Sequence, residues 1–351
     1  MEKINTLRAH LEKDSAFIFL SPVNRQYFTG VHTSYGLVCV THTAALFYTD
    51  FRYLELAERC VFEGITIRKF SESICGTLQH LTKEFSLKQL ILEPSYITVA
   101  QAAEFSALPI VFDTGNLPGE MRMKKSPEEI RAIVSAQEIT DQAYQAILKE
   151  IKIGMTEKEV MARLIYHMYR LGAEALAFDP IVVSGANGAL PHGVAEDKKL
   201  QSGEFLTMDF GAVKNGYCSD MTRTVALGHC SERMKTVYDT VIHAAQCALK
   251  TVRAGVIGKE VDAAARAYID RQGFAGHFDH STGHGIGIEI HEAPNFSPRE
   301  ERAVPEGAVL SIEPGIYLPG ELGVRVENMV LVRPNGGEIL TKSPTELLIL
   351  K

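Results

Sequence analysis

Four carboxylates occupy positions where the sequence otherwise calls for buried apolar strand residues. Glu313 lies within Leu310-Ser311-Ile312-Glu313-Pro314-Gly315, and Glu327 within Gly323-Val324-Arg325-Val326-Glu327-Asn328-Met329-Val330. Asp209 falls in Leu206-Thr207-Met208-Asp209-Phe210-Gly211, and Asp220 in Gly216-Tyr217-Cys218-Ser219-Asp220-Met221-Thr222-Arg223. The last two segments flank the turn residues Lys214-Asn215-Gly216, so they read as a hairpin with Asp209 and Asp220 on paired strands. Burying an unpaired carboxylate is costly, and a buried one normally meets a cation or a metal. With the glycine-flanked His284 in Ser281-Thr282-Gly283-His284-Gly285-Ile286-Gly287, the four interruptions point to one shared cation site.

The charge count extends this reading. Two divalent cations balance four carboxylates and leave one imidazole as the remaining ligand. A hard, oxygen-rich set with a single nitrogen suits Mn²⁺, Fe²⁺ or Co²⁺ better than a structural Zn²⁺ site built on Cys and His. On spacing and composition alone a second reading stays open. Each Asp or Glu taken singly is as readily an edge-strand or ion-pair residue, and His284 a loop histidine.

At 351 residues the chain exceeds the size at which one core usually keeps growing, so two domains are expected. Short apolar runs at Ala16–Leu20, Leu37–Val40, Ala45–Tyr48 and Gln89–Leu92 read as strands. Helical stretches near Arg52–Cys60, Glu72–Glu84 and Ile97–Ala107 lie among them, which makes a small α/β domain. Asn116-Leu117-Pro118-Gly119 is turn chemistry, and Met121-Arg122-Met123-Lys124-Lys125 reads as a polar linker. The boundary is therefore placed between residues 1–120 and 121–351. Ser126-Pro127-Glu128-Glu129 then opens a long helix with a capping box and a proline at its first position, and Thr156 with Glu159 repeats the device. Beyond it, β-rich stretches and the helices Ser231–Arg253 and Lys259–Gln272 form blocks rather than strict alternation, which favours an α+β class.

The formal net charge of −7 argues against a nucleic-acid partner. The N-terminus carries charges before any apolar run, and no stretch approaches the length of a membrane span, so neither a signal peptide nor a membrane location is expected. The six cysteines are scattered without a CxxC pair and read as reduced thiols of a cytoplasmic protein. Asp209-Phe210-Gly211 spells a kinase metal triplet without its partner motifs, and His291-Glu292 begins a zincin motif but lacks the second histidine.

At these same residues the chain resembles the proline-specific members of the pita-bread metallopeptidases, prolidase (Xaa-Pro dipeptidase) and aminopeptidase P. The likeness runs nearly end to end. Gln26-Tyr27-Phe28-Thr29-Gly30 and Tyr48-Thr49-Asp50-Phe51-Arg52-Tyr53 are similar to the family's creatinase-type N-terminal domain, and everything from Ser126 onward to its catalytic domain. The resemblance implies a pita-bread α+β catalytic domain behind a small α/β domain, and two divalent ions, Mn²⁺ foremost with Co²⁺ or Fe²⁺ as alternatives. It implies that Asp209 chelates one ion, that His284 and Glu313 bind the other, and that Asp220 and Glu327 bridge both. Glu313 is then the acid/base partner of a metal-bridging hydroxide. His192, in Leu190-Pro191-His192-Gly193, matches a histidine that contacts the scissile amide and its leaving nitrogen. His291, in Ile290-His291-Glu292-Ala293-Pro294-Asn295, matches one that stabilises the tetrahedral intermediate, and Arg325 matches an arginine close to Glu327. Arg299 is a further candidate for a product carboxylate, on its place after His291 alone.

The implied activity is hydrolysis of the Xaa-Pro bond at the N-terminus of small proline-containing peptides, foremost dipeptides, by a homodimer. Aminopeptidase P, acting on longer peptides, is the alternative. Methionine aminopeptidase shares the fold and ligand types, but its bacterial forms are essentially the catalytic domain alone. A non-catalytic relative is disfavoured because all five ligand positions are present.

Overall fold

The computed structural model describes residues 2–112 and 116–351. It divides into two units, Met1–Met121 and Arg122–Lys351. The first is built on six strands: β1 (Ser15–Phe19), β2 (Leu37–Thr41), β3 (Ala45–Thr49), β4 (Thr66–Lys69), β5 (Gln89–Leu92) and β6 (Ile110–Phe112). They lie in the order β4-β3-β2-β1-β5-β6. The pairs β1/β2 and β2/β3 are antiparallel, and β3/β4, β1/β5 and β5/β6 are parallel. The central strands β1, β2 and β3 are buried at every residue, which is why they read as unbroken apolar runs rather than alternating ones. Ser21 caps the helix Pro22–Thr29 through the amide of Asn24. The buried Glu93 carboxylate accepts from the amides of Leu20 at 2.6 Å and Ser21 at 2.9 Å and locks the entry to that helix.

In the second unit the two capping boxes form as the sequence expects. Ser126 and Glu129 open α1 (Pro127–Ile147), and Thr156 and Glu159 open α2 (Glu157–Arg170). Two segments differ from expectation. Asn116 through Gly119 does not simply turn: the Asn116 side chain accepts from the Gly119 amide, and a short helix runs over Leu117–Met123. The linker residue Lys125 is not solvated but 5% exposed.

The strands that carry the candidate ligands belong to four small sheets. β7 (Ala175–Leu176), β10 (Ala212–Lys214) and β11 (Tyr217–Cys218) form the first, and β8 (Ile181–Ser184), β9 (Phe205–Phe210), β12 (Met221–Leu227) and β20 (Ile349–Leu350) the second. A five-stranded sheet contains β13 (Gly283–Gly285), β14 (Glu292–Phe296), β15 (Val309–Ile312), β18 (Asn328–Arg333) and β19 (Gly336–Ile339). β16 (Gly315–Leu318) pairs only with β17 (Leu322–Arg325). Helices α3 (Glu232–Thr251) and α4 (Gly258–Ile269) share with these sheets a core of Val237, Val241, Val261, Ile269, Leu310, Ile312 and Val330.

This division places the carboxylates. The expected continuous stretches Ala308–Tyr317 and Val324–Arg333 are each two strands, broken at Glu313 and at Glu327, where the chain passes between the five-stranded and the two-stranded sheet. The hairpin expected around Lys214-Asn215-Gly216 is likewise broken. Asp209 stays within β9, opposite Thr222, but Asp220 lies in the gap between β11 and β12 and is not a paired strand residue. At two of the breaks a neighbouring segment takes up the freed amide: Glu313 N–H bonds to Thr282 O at 2.8 Å, and Glu327 N–H to Thr222 O at 3.1 Å. At Asp220, Glu313 and Glu327, though not at Asp209, the carboxylate thus marks a change of sheet.

Candidate metal centre

The seam between these sheets opens into a cavity of about 550 Å³. Asp209, Asp220, His284, Glu313 and Glu327 all line it, together with His192, His291 and Arg325. Every sequence-expected ligand is therefore in one place. Arg299 does not line the cavity, and neither does Tyr217, whose hydroxyl donates to Glu129 at 2.8 Å.

His284 sits at a bulge in β13, and its amide is fixed by Ser311 Oγ at 3.0 Å. Gly283 before it has no room for a side chain, because a Cβ would run into the Ser311 carbonyl. The His284 Nε2 atom is 3.4 Å from Asp220 and 3.3 Å from Glu313. Single ligand atoms of Asp220, His284 and Glu327 all lie within 4.8 Å of one another.

The carboxylates are tied down from behind. Thr222 donates to Glu327 Oε2 at 2.7 Å, Ser311 donates to Glu313 Oε1 at 3.1 Å, and Arg325 donates to Asp209 Oδ2 at 2.6 Å. Arg325 also donates to Thr222 Oγ1 at 3.1 Å, to Tyr317 Oη at 2.8 Å and to Pro191 O at 3.3 Å, so all three guanidinium nitrogens are engaged. The resemblance put Arg325 near Glu327; its ion-pair partner is Asp209. The opposite oxygens, Asp209 Oδ1 and Glu327 Oε1, are buried with no hydrogen-bond partner among the described residues. Buried polar atoms are almost always satisfied, so two orphans in one cavity call for an unrepresented partner. Oxygens held on the far side and bare on the near side, beside an imidazole nitrogen, fit divalent cations.

The electrostatics agree. Burial, then repulsion from Glu327, Asp209 and Glu313, holds the Asp220 carboxyl well above the usual range. Glu327 is raised in the same way, by burial and then by Glu313 and Asp209. Burial lifts Glu313 to about 7 against the opposing charge of Arg325. Burial also lowers His284 and His291, and takes His280 down to about 3.

These shifts fix a sign. In metal-free protein the folded state holds protons on these carboxyls that the unfolded chain, with carboxylate pKa values of about 4, has already released. The stability this confers is present at low pH and is lost as pH rises from about 4 through the raised folded values, about 7 for Glu313. A divalent cation removes that penalty. The difference in Tm between Mn²⁺-loaded and metal-stripped protein is therefore expected to widen from pH 5 to pH 8 in thermal scans. A gap independent of pH would contradict this account of the centre.

The two other histidines ride on loops. His192 follows a 3₁₀ turn over Gly185–Ala189, and the loop is cinched by Glu157 at the start of α2. That fully buried carboxylate accepts from Ser184 N at 2.6 Å, from Ser184 Oγ at 2.9 Å and from Glu196 N at 3.0 Å. The His291 ring packs edge-on to His284 with centroids 4.3 Å apart. His280 also lines the cavity, and its Nε2 meets Tyr317 Oη at 2.8 Å. Tyr317, Thr222 and Glu157 were not foreseen, because each is an ordinary residue of its own segment. Phe178, Ile181 and Ile290 supply an apolar wall.

A four-carboxylate, one-histidine cluster where four small sheets meet, with helices packed on them, is the arrangement expected of a metallopeptidase of pita-bread architecture. Comparison with known proteins agrees. The model of metallopeptidase family M24 matches residues 131–334, and that of the creatinase/prolidase N-terminal domain matches residues 3–124. The chain belongs to metallopeptidase family M24. It is 37% identical to an Xaa-Pro dipeptidase of Pyrococcus furiosus, over 99% of each chain. Among solved structures it is similar to an Xaa-Pro dipeptidase from Bacillus anthracis, with 38% identity, a TM-score of 0.95 and 100% and 99% of the two chains covered. An X-Pro aminopeptidase from Thermotoga maritima matches with 35% identity, a TM-score of 0.91 and coverages of 98% and 99%.

Proposed function

We propose that this protein is a prolidase, an exopeptidase that hydrolyses the Xaa-Pro bond of dipeptides with two divalent ions, manganese foremost. The observation that carries the reading is the convergence of four carboxylates and one imidazole on a single buried cavity with two unsatisfied carboxylate oxygens. In this reading Asp209 would hold one ion, His284 and Glu313 the other, and Asp220 and Glu327 would be shared between them. Bound ions supply a hydroxide nucleophile at neutral pH and offset charge on the carbonyl oxygen. Arg325 neutralises one of the four carboxylates, so two ions leave one positive charge, which the hydroxide cancels.

The chain's own residues do the rest. Glu313 accepts the proton of the attacking hydroxyl and passes it to the proline nitrogen as the C–N bond breaks. His291, open to the cavity, donates to the developing oxyanion, and His192, on the opposite loop, contacts the scissile amide and its leaving nitrogen. A proline nitrogen offers no N–H, so selectivity has to rest on ring shape, and Phe178, Ile181 and Ile290 are suited to read it. The domain reading is a creatinase-like domain over residues 1–120 before a catalytic domain over 121–351. The enzyme would act as a cytoplasmic homodimer, consistent with six free cysteines. No helix among the described residues is long and apolar enough to cross a membrane.

The likeness to an X-Pro aminopeptidase supports a second reading, cleavage of longer Xaa-Pro peptides. Metal-stripped protein assayed on Ala-Pro and Ala-Pro-Ala, with and without Mn²⁺, separates the two. Cleavage of the dipeptide alone, and only with metal, is expected. Equal or faster cleavage of the tripeptide makes it an aminopeptidase P. Inactivity on both with metal bound sinks the proline-specific reading.

A further inference from the structure

The segment Arg122-Met123-Lys124-Lys125 reads as a solvated linker, yet its last residue is buried. The Lys125 side chain is 2% exposed, and its backbone amide bonds to Gly307 O at 3.0 Å. Its Nζ lies 3.3 Å from Glu292 Oε2, and the Glu292 side chain is also only 2% exposed. Arg122 approaches the other oxygen of Glu292 at 3.5 Å and pairs with Glu289 at 2.8 Å. Burial pushes the Lys125 amine down, with Glu292 working against that shift.

Glu292 directly follows His291. It opens β14 with its side chain turned inward, while His291 faces the cavity, as successive side chains at the start of a strand must alternate. The same carboxylate accepts from the Glu289 amide at 3.1 Å and fills the space where a side chain on Gly287 would fall. Cys218 N–H holds the other end of the loop through Gly287 O at 2.8 Å. The Glu292 carboxylate is thus the inner anchor of the loop from Gly287 to His291, and Lys125 is the fully buried cation paired with it, with Arg122 at its other oxygen.

We propose that Lys125 and Glu292 are positioning residues for His291: their buried ion pair aims the His291 ring into the cavity. The proposal rests on the reading that His291 takes part in turnover. Removing one member of a buried pair leaves an uncompensated charge that draws its surroundings toward water. A reacting group displaced by about 1 Å costs up to about 100-fold in rate.

The test is a double-mutant cycle on full-length, Mn²⁺-loaded protein with Ala-Pro as substrate: Lys125→Met, His291→Ala and the two combined. Lys125→Met is expected to lower kcat by about 10- to 100-fold, with KM within about threefold and metal content unchanged. In the His291→Ala background the same change is expected to cost less than about threefold, because residues acting as a unit are not additive. An equal loss in both backgrounds makes Lys125 a structural residue and overturns the proposal, as does a Lys125→Met enzyme within twofold of wild type. If Lys125→Met does not fold, Glu292→Gln enters the same cycle with the same outcomes. A His291→Ala enzyme at full kcat removes the underlying reading, and the proposal falls with it.

Discussion

Exchanging Glu313 for glutamine is expected to leave a folded protein whose kcat on Ala-Pro has fallen by about three orders of magnitude. Glutamine keeps the volume and can still accept from Ser311, which donates to Glu313 Oε1 at 3.1 Å. What it loses is the ability to take up a proton and give it away, together with one anionic ligand. A positioned acid or base contributes about 10²- to 10⁴-fold, and a weakened metal site adds to that. Steady-state kinetics beside metal analysis divides the two effects. A variant that keeps more than a tenth of wild-type kcat with its metals bound removes Glu313 from the proton-transfer role.

Asp220→Asn is expected to do two opposite things. It should abolish turnover and lower metal content, because one of the four anionic ligands is gone from a centre that holds a single imidazole. It should also raise the Tm of the metal-stripped protein at pH 8. Asp220 is held well above the usual carboxyl range by burial and by the charges of Glu327, Asp209 and Glu313. Its ionised form is therefore disfavoured in the folded, metal-free state, and a neutral isostere relieves that repulsion. A gain of about 2–4 °C corresponds to roughly 1 kcal/mol in a unit of this size. If the stripped variant melts below stripped wild type at pH 8, the carboxylates are not held together against their own repulsion, and the case for buried cations weakens with it. The two results belong together: in the proposed reading the native arrangement would cost stability until ions are bound, and function would require that cost.

Much of the architecture is legible locally. Ser126 with Glu129 and Thr156 with Glu159 place two helix starts, because a capping box is made within four residues and needs nothing distant. The buried strands β1, β2 and β3 show as apolar runs for the same reason. Asp209, Asp220, Glu313 and Glu327 stand out as charges among apolar neighbours, and the family motif around His284 completes the ligand set. The candidate ligands are therefore legible in the sequence.

Their convergence is not. Glu327 meets Thr222 across 105 residues, Arg325 meets Asp209 across 116, and Lys125 meets Glu292 across 167. No local signal distinguishes Thr222 or Tyr317 from a structural neighbour, or the buried Lys125 from the exposed lysines of the chain. The sheet changes at Asp220, Glu313 and Glu327 are equally invisible, because the apolar pattern on either side is that of one continuous strand. Residue type and short-range spacing determined which groups this protein has for its chemistry. Only the packing of four small sheets decided which oxygens are tied back, which face the cavity and which cation each buried charge meets, since those depend on contacts that close only once the chain has folded.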